Sequence, residues 1–431
     1  MGLYFTLALR NLKQGGRRTW LLGGAIAFVS LLLIGLSALA SGLETTLIHS
    51  ASTLLSGHVN VGGFYKPTRT QASPVLTDVA RLRREVTAEL PEAEVVDRMR
   101  GWVRGISPQS SFYLGLAGID VKEEKRLMEL LQVSQGSLSG LQEPDTIALF
   151  TRQAKRFEVG VGDVITLSAP TLGGAENTVD VRVVAILKDV GAMSAITTYT
   201  PKETVRKLYH LGPETTGAVH LYIDDPNDAS EVMNRLRPVM EAHGHKLMKH
   251  SPQPFFMKFQ AVAGEDWAGQ KLDLTTWRDE ISFMSFVLTG FATIRWLLLS
   301  GLFIIIVIGI MNTLWMAIRE RRSEIGTVRA IGMSRKGVLG MFLLEAALLG
   351  TLAAGAGAVL ATIGIVIIEA VGVPIGMEAF QLVLMSDRLY LEWRAFDVLG
   401  AVLLITFITA LSALYPAWRA ARLRPATTMG L

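Results

Sequence analysis

The chain has 431 residues, of which 50% are hydrophobic and 19% are charged, and its formal net charge is +4. It is too apolar for a water-soluble domain alone and too charged for a bundle lying wholly in lipid, so we predict a hybrid of membrane helices and a folded aqueous domain. Lys and Arg stand mainly at the edges of apolar runs, where membrane topology accounts for them, which argues against a nucleic-acid surface. The sequence contains no cysteine, which excludes disulfides and Cys-ligated metals.

The N-terminal residues carry apolar side chains at helical spacing, with Arg10 and Lys13 on another face, so we expect a cytoplasmic amphipathic helix over 1–18. Residues 19–43 carry no charge and are numerous enough for one transmembrane helix. This run is too long for a signal peptide and ends without a clear cleavage site. The basic residues before it predict a cytoplasmic N-terminus.

Residues 44–291 have the composition of a folded aqueous domain, which we predict to be a periplasmic domain with its stalk. Alternation predicts strands, and helical spacing predicts helices, in an α+β order. The predicted strands are 57–61, 111–116 and 218–223, and the predicted helices are 75–90, 121–131 and 229–242. Residues 145–199 differ in pattern, with strand-like runs separated by Gly-rich turns. They predict a small β-rich insertion with strands at 164–167, 179–187 and 196–199. From Leu274 onward we expect a helix that runs into the membrane without a break.

Two local patterns in this domain allow a functional and a structural interpretation. The Gly-x-Gly at Gly160 and Gly162 lacks the residues that complete a phosphate loop, so a hairpin turn is favoured. His243, His245 and His250 could chelate a metal, but Glu241 is the one carboxylate spaced to complete such a site. A polar helix end and linker is therefore favoured, and we predict no metal site.

The remaining chain alternates apolar spans with short polar segments. The predicted segments are a second transmembrane helix at 292–318, a cytoplasmic segment at 319–336, a third span at 337–368, an outer loop at 369–397, a fourth span at 398–418 and a cytoplasmic tail at 419–431. Glu345 is the one charge within the third span. A carboxylate at the bilayer centre costs about 2.5–3.5 kcal/mol on insertion scales. Pairing with an Arg of the nearby basic loop is favoured over a role in proton relay.

Two stretches of the C-terminal half carry a family resemblance. Residues 321–326 read Arg-Arg-Ser-Glu-Ile-Gly and residues 329–335 read Arg-Ala-Ile-Gly-Met-Ser-Arg. This pattern, with the ending Tyr-Pro-Ala from Tyr415, resembles the FtsX-like, MacB-like permease superfamily of type VII mechanotransmission ABC transporters, which includes the LolC/LolE branch. The alternative is an ordinary basic cytoplasmic loop. The order of one helix, a large outer domain and three helices is matched over nearly the whole length.

The resemblance implies an α-helical membrane protein with four transmembrane helices and a large α+β extracytoplasmic domain. In the family, that domain has a porter-like α/β lobe and a β-rich sabre-like lobe. The segment at 319–336 corresponds to the coupling helix, which rests on a separate ATPase subunit. The residues expected to couple to the ATPase are Glu320, Arg321, Arg322, Glu324, Ile325, Gly326, Arg329, Ala330, Ile331 and Gly332. On a helix, Ile325, Val328, Ala330 and Ile331 can form an apolar side for docking.

The chain contains no Gly-x4-Gly-Lys-Ser/Thr loop, so we expect no ATP hydrolysis by the chain itself and no catalytic residue. No cofactor is expected on the chain, with ATP and Mg on the partner ATPase. The other implied partners are a second permease, identical or not, membrane lipid, and a periplasmic adaptor, chaperone or lipoprotein substrate. Nucleic acid is not among them.

The expected location is the bacterial inner membrane, with both termini cytoplasmic. The favoured function is release of lipoproteins from that membrane, as in the LolC/LolE branch. The alternatives are MacB-like efflux of drugs, peptides or other periplasmic substrates, and FtsX-like regulation of cell-wall hydrolases.

Overall fold

The computed structural model describes residue 10 and residues 16–68, 72–190, 192–320, 322–371, 373–374, 388–389 and 391–422. The chain divides into two compact units. The helical unit comprises Met1–Glu44, Val287–Val373 and Leu389–Leu431, and the strand-rich unit comprises Thr45–Phe286 and Pro374–Arg388.

The helices and strands of the described residues follow the chain in this order: α1 (Gly16–Ala51), β1 (Val59–Lys66), α2 (Val79–Glu89), β2 (Glu94–Ile106), β3 (Ser111–Ile119), α3 (Lys125–Leu130), β4 (Val133–Gly136), β5 (Thr146–Phe150), α4 (Thr151–Phe157), β6 (Val164–Pro170), β7 (Glu176–Leu187), β8 (Thr197–Pro201), α5 (Lys202–Tyr209), β9 (Ala218–Tyr222), α6 (Ala229–Ala242), α7 (Phe259–Gly264), β10 (Gly269–Thr276), α8 (Trp277–Glu280), α9 (Ser285–Glu320), α10 (Arg322–Ala330), α11 (Arg335–Val371), β11 (Val373–Pro374), β12 (Arg388–Leu389) and α12 (Ala395–Ala421).

Four helices within the described ranges, α1, α9, α11 and α12, are long and apolar enough to cross a membrane. Each extends beyond the span predicted for it, because the charge-free run marks only the part of a helix that suits lipid. The predicted amphipathic helix at 1–18 lies almost wholly outside the described residues. So do 375–387 of the predicted outer loop and 423–431 of the predicted tail.

Small residues bring the membrane helices together in the helical unit. A Cβ added at Gly357 of α11 would lie 2.1 Å from the carbonyl oxygen of Ala27 in α1. Next to this contact, the Ser30 hydroxyl donates a hydrogen bond of 2.9 Å to the Ala354 carbonyl oxygen. Gly350 is in similarly close contact with α12. A Cβ added at Gly350 would lie 3.0 Å from the Cβ of Thr409. Glycine is required here because lipid supplies no hydrophobic force between helices, and close backbone contact replaces it.

Strand β2 organises the strand-rich unit. Its residues 94–98 pair antiparallel with β9, in a sheet ordered β10-β1-β9-β2. Its residues 99–106 pair antiparallel with β3, and residues 104–106 also pair with β6. Pairing continues from β3 to β8, β5, β7 and β6, and returns to β2. One strand therefore belongs to both an open sheet and a closed six-stranded barrel.

The hydrophobic cores of this unit are formed by apolar side chains that repeat at regular spacing along its helices and strands. Helix α2 buries Val79, Leu82 and Val86, which the sequence predicts as one face. Helix α6 begins at Ala229 as predicted, after a turn in which the Asp225 side chain accepts a hydrogen bond from the Asn227 backbone N–H. The barrel is filled by side chains that alternate along its strands, including Val179, Val181 and Val183 of β7. The predicted fold class, four membrane helices with a large α+β domain, is thus confirmed.

The prediction of a continuous helix from Leu274 is wrong. Leu274 is buried in β10 and lies opposite Val61 of β1. The strand ends at Thr276, whose hydroxyl and backbone N–H both donate to the Asp279 carboxylate at the start of α8. Only after this capped turn does α9 begin, at Ser285.

The Gly-x-Gly interpretation also needs correction. Gly160 and Gly162 join helix α4 to strand β6, so the turn does not connect two strands of a hairpin. The Asp163 carboxylate accepts a hydrogen bond of 2.7 Å from the Gly160 backbone N–H, which closes the turn locally.

A buried ion pair supports the start of the strand-rich unit. Arg98 of β2 and Glu124 are each 2% exposed, and Arg98 Nη2 lies 2.7 Å from Glu124 Oε2. Arg98 Nη1 also donates to the carbonyl oxygens of Thr53 and Leu54, at 2.7 and 3.2 Å. These carbonyls belong to the π-helical turn Ser52–Ser56 that follows α1. One guanidinium thus satisfies a helix end and a carboxylate together.

We expect Gly357→Ala to lower the thermal stability of the full chain, because the new methyl group meets the Ala27 carbonyl. Overpacking of this kind costs about 1–3 kcal/mol. The matched control is Gly355→Ala, where an added Cβ has open space. It should be neutral or stabilising, by up to about 1 kcal/mol, because alanine favours helix. Unfolding followed in detergent by scanning fluorimetry measures both, and equal shifts would contradict the close contact.

We expect Glu124→Ala to destabilise the strand-rich unit by about 3–5 kcal/mol, because it leaves the Arg98 charge buried without its carboxylate. Glu94→Ala is the control, since it breaks an ion pair with Arg126 whose side chains are 37% and 42% exposed. That loss should stay below about 1 kcal/mol. Limited proteolysis across a denaturant series compares the two, and a Glu124→Ala protein as resistant as Glu94→Ala would contradict the assignment.

Candidate functional site

The segment between α9 and α11 forms a short helix with well-defined ends. Helix α10 spans Arg322–Ala330, and the following Gly332 has φ +112°, a left-handed conformation that glycine adopts readily. The Gly332 backbone N–H donates to the Arg329 carbonyl oxygen at 3.1 Å. Helix α11 then starts behind Ser334, whose hydroxyl accepts a hydrogen bond of 3.1 Å from the Gly337 backbone N–H. Both ends of the turn are therefore fixed by local chemistry.

Ile325 anchors α10 to the membrane helices. It is 5% exposed and belongs to the same buried apolar cluster as Ile318 of α9 and Val338 and Phe342 of α11. Gly326, next to it, is also buried. This side of α10 is packed inside the helical unit and is not free for a partner, so the predicted docking face is divided.

Arg329 ties the same helix to the end of α12. Its Nη1 donates a hydrogen bond of 3.2 Å to the carbonyl oxygen of Ala421, the last residue of α12. A cation at a helix C-terminus also interacts favourably with the helix dipole. The two anchors, Ile325 and Arg329, hold α10 against both α11 and α12.

The end of α10 is exposed. Ile331 is 81% exposed, and Ala330 and Gly332 beside it are exposed as well. A large aliphatic side chain held in solvent on a fixed turn loses the free energy of burial unless a partner covers it. Exposed basic residues stand on the same segment and its neighbours: Arg319, Arg335, Lys336, Arg419 and Arg422.

Aromatic contacts at this end of the unit were missed by the sequence reasoning. Trp315 of α9 meets Tyr415 of α12 edge-to-face, with ring centroids 6.2 Å apart, and Arg419 lies 5.0 Å above the Trp315 ring. Tyr415 is the first residue of the Tyr-Pro-Ala ending that resembles the family pattern. Its contact with a helix a hundred residues earlier had no signal in local spacing.

The remaining predicted residues are placed as follows. Glu320 is the exposed last residue of α9, Arg322 and Glu324 lie in α10, and Arg321 is outside the described residues. Glu345 is half-buried on α11. Its pairing with the basic loop stays a prediction, as do the coupling roles of the whole set.

The histidines of the strand-rich unit make local contacts. His245 Nε2 lies 2.6 Å from Glu85 Oε2, and His243 Nδ1 lies 2.8 Å from the Val239 carbonyl oxygen. Burial raises the pKa of Glu85, but hydrogen bonds from His245 and Arg81 outweigh it and hold the pKa below its usual value. Among the residues that the structure describes, no group of three or more His, Asp or Glu is arranged to hold a metal ion.

The site lies in a recognised domain. Residues 296–425, from α9 through α12, match the family model of the FtsX-like permease C-terminal domain. An uncharacterised ABC transporter permease of Methanocaldococcus jannaschii is 23% identical, covering 81% of this chain and 82% of that protein.

Two further relatives carry functional names. The macrolide export ATP-binding/permease protein MacB of Bdellovibrio bacteriovorus is 24% identical over 97% of this chain and 59% of its own length. The lipoprotein-releasing system transmembrane protein LolE of Haemophilus influenzae is 22% identical over 76% of this chain and 77% of its own length. The solved periplasmic region of MacB from Actinobacillus actinomycetemcomitans is 13% identical over 54% of this chain and 94% of its own, with a TM-score of 0.31, a likeness too low to add to the argument.

The matched domain contains the groups that anchor α10, namely Ile325, Arg329 and the Ala421 carbonyl. It also contains the exposed Ile331. The relatives extend the similarity across the strand-rich unit. Residues 296–425 therefore belong to the FtsX-like permease C-terminal family, and the chain as a whole is similar to ABC transporter permeases of the MacB and LolE type.

Proposed function

We propose that this permease docks a separate ATPase subunit on the exposed end of α10 and converts ATP hydrolysis into conformational work in its strand-rich unit. The observation that carries the proposal is the division of α10 between an anchored side and an exposed end. Ile325 and Arg329 fix the helix to α11 and α12, while Ile331 stays available. A partner that pushed on Ile331 would therefore move the anchored helices with it.

The charge distribution supports a cytoplasmic position for this end. The contact of Arg329 with Ala421 places α10 and the C-terminal end of α12 on one side, where the exposed Arg and Lys residues gather. Basic residues beside short membrane loops favour the cytoplasmic face. On this orientation the chain sits in a bacterial inner membrane with both termini inside, and the strand-rich unit faces the periplasm.

Similarity to the relatives supports the proposed substrate class. Similarity to LolE over about three quarters of both chains supports release of lipoproteins from the membrane. The match to MacB over 97% of this chain favours efflux of drugs or peptides with an adaptor as the second candidate. FtsX-like regulation of a cell-wall hydrolase is the third. In each case a pair of permeases, identical or not, would work with a pair of ATPases that bind ATP and Mg.

Few ionisable residues line the four apolar helices, which supports mechanical transmission over passage through a polar pore. ATP-driven closure of the ATPases would shift α10, then the long helices, then the outer domains. This is a rigid-body switch of the kind that packed interfaces allow.

Mass spectrometry of the proteins that co-purify with the tagged chain from native membranes in mild detergent tests the proposal. We expect an ABC ATPase in the complex. Acylated lipoproteins or a second permease beside it would support lipoprotein release, and a periplasmic adaptor would support efflux. A purified complex without any ATPase would overturn the proposed function.

We expect Ile331→Asp to weaken ATPase binding by about tenfold to a hundredfold, because burying an isoleucine stabilises an interface by about 1.5–3 kcal/mol. Ser334→Asp is the matched control: it adds the same charge three residues later at an exposed site and keeps an oxygen that can cap α11. The amount of ATPase retained on the tagged permease at graded concentrations measures both. Equal retention by the two variants would exclude Ile331 as a docking residue.

A further inference from the structure

A cavity of about 540 Å³ opens within the strand-rich unit. Its walls come from five parts of this unit: residues 72–75 after β1, residues 100–102 in the middle of β2, the turn between β6 and β7, Tyr209 at the end of α5, and α7. The volume falls within the roughly 300–1,000 Å³ typical of small-molecule sites. The cavity therefore has the size of a ligand pocket, and its lining decides which ligand fits.

Arg100 gives this cavity a buried positive charge. Arg100 is 9% exposed, and no carboxylate of the described residues lies within ion-pair distance of it. Its Nη2 donates to Asn60 Oδ1 at 2.9 Å and to His220 Nε2 at 3.3 Å, both of which are neutral acceptors. Its Nε and Nη1 make no hydrogen bond with any side chain or backbone group described.

Neighbouring groups hold this cation in place without a direct ion pair. The guanidinium carbon lies 4.3 Å from the centroid of the Phe255 ring, in a cation–π contact. An added Cβ at Gly62 of β1 would lie 3.3 Å from Arg100 Nη1, so glycine leaves space for the guanidinium there. Burial lowers the pKa of Arg100 below its usual value despite attraction by the more distant Glu280 and Asp273. A buried cation without a paired anion is costly, and a bound anion would offset that cost.

The rest of the lining is largely apolar. Trp102, two residues further along β2, is 42% exposed, and Leu172, Phe259, Pro74 and Pro170 contribute aliphatic and aromatic surface. Tyr209 closes one side, packing so near Gly101 that an added Cβ would lie 2.6 Å from its hydroxyl, which itself donates to the Trp102 carbonyl oxygen. The hydroxyl of Tyr209 thus donates its proton within the protein, and the tyrosine ring adds to the apolar wall of the cavity.

We propose that this cavity binds a small anionic amphiphile, whose carboxylate or phosphate pairs with Arg100 and whose hydrocarbon part lies against Trp102, Leu172 and Phe259. The charge selects an anion, and the walls select an apolar body over a free inorganic ion. The site shares no residue with α10 and does not depend on the proposed coupling to an ATPase.

Photoaffinity labelling of the full chain in zwitterionic lipid nanodiscs tests this site. The probes are a diazirine-bearing hexadecanoic acid, its methyl ester, and the corresponding hexadecyl phosphate. Mass spectrometry locates the label, and labelling of peptides that contain Trp102, Leu172 or Phe259 is normalised to labelling of the membrane helices. We expect the acid and the phosphate to label the cavity peptides about tenfold more than the ester does, as loss of one charge-assisted contact implies.

Three variants separate binding from folding. Arg100→Gln should lower cavity labelling by the acid to that of the ester. Arg104→Gln is its matched control, because Arg104 stands on the same strand, is exposed and donates to Ser111 on the outer face. Gln260→Glu adds a negative charge at an exposed position of the lining and should lower labelling by the acid but not by the ester. That variant keeps the test valid if Arg100→Gln fails to fold.

Absence of label from the cavity peptides would overturn the proposal, and so would equal labelling by the acid and the ester. Equal labelling of Gln260→Glu and the unmodified chain by the acid would do the same. Displacement of the acid probe by inorganic phosphate at an equal concentration would show that the head group alone is bound, which contradicts an amphiphile.

Discussion

The helical unit depends on close contact between backbones in a solvent that does not drive helices together. Gly357 against Ala27 and Gly350 against Thr409 bring α1, α11 and α12 to distances that a methyl group would prevent. The position of helix α10 depends on this packing. Ile325 is buried beside α11 residues, and Arg329 reaches the last carbonyl of α12. A helix of nine residues would not be stable in isolation, so its orientation is a property of the bundle beneath it.

This dependence on the bundle explains why the sequence predicts a polar segment at 319–336 between two spans but does not show which of its apolar residues are buried. Charge, length and the family pattern placed the segment between two spans. Helical spacing then grouped Ile325 with Ile331, because both are apolar and lie on compatible faces. Spacing does not show which apolar residue has a neighbour, and the structure buries Ile325 and exposes Ile331. The contact of Arg329 with Ala421 joins residues 92 apart, beyond the range of any local pattern.

In the strand-rich unit, too, local spacing predicts elements but not the contacts between distant parts of the chain. The faces of α2 and α6 and the strands of the β-rich insertion follow from periodicity, since side chains on one face repeat at a fixed interval. Leu274 was assigned to a helix because the strand that pairs with it, β1, lies some two hundred residues earlier in the chain. Barrel closure through β2 is likewise a long-range pairing. The cavity beside Arg100 could not be predicted, because its walls come from five separated parts of the chain.

The double membership of β2 has a consequence for how this unit unfolds. An open sheet and a barrel that shared only a loop could open independently, each with its own free energy. Here the backbone hydrogen bonds of residues 94–98 and 99–106 lie on one continuous strand, so fraying of either assembly removes a neighbour from the other. The open sheet and the barrel should therefore exchange amide hydrogens as one cooperative block. The slowest exchange should be centred at Arg98 and Met99, where β2 passes from the sheet to the barrel.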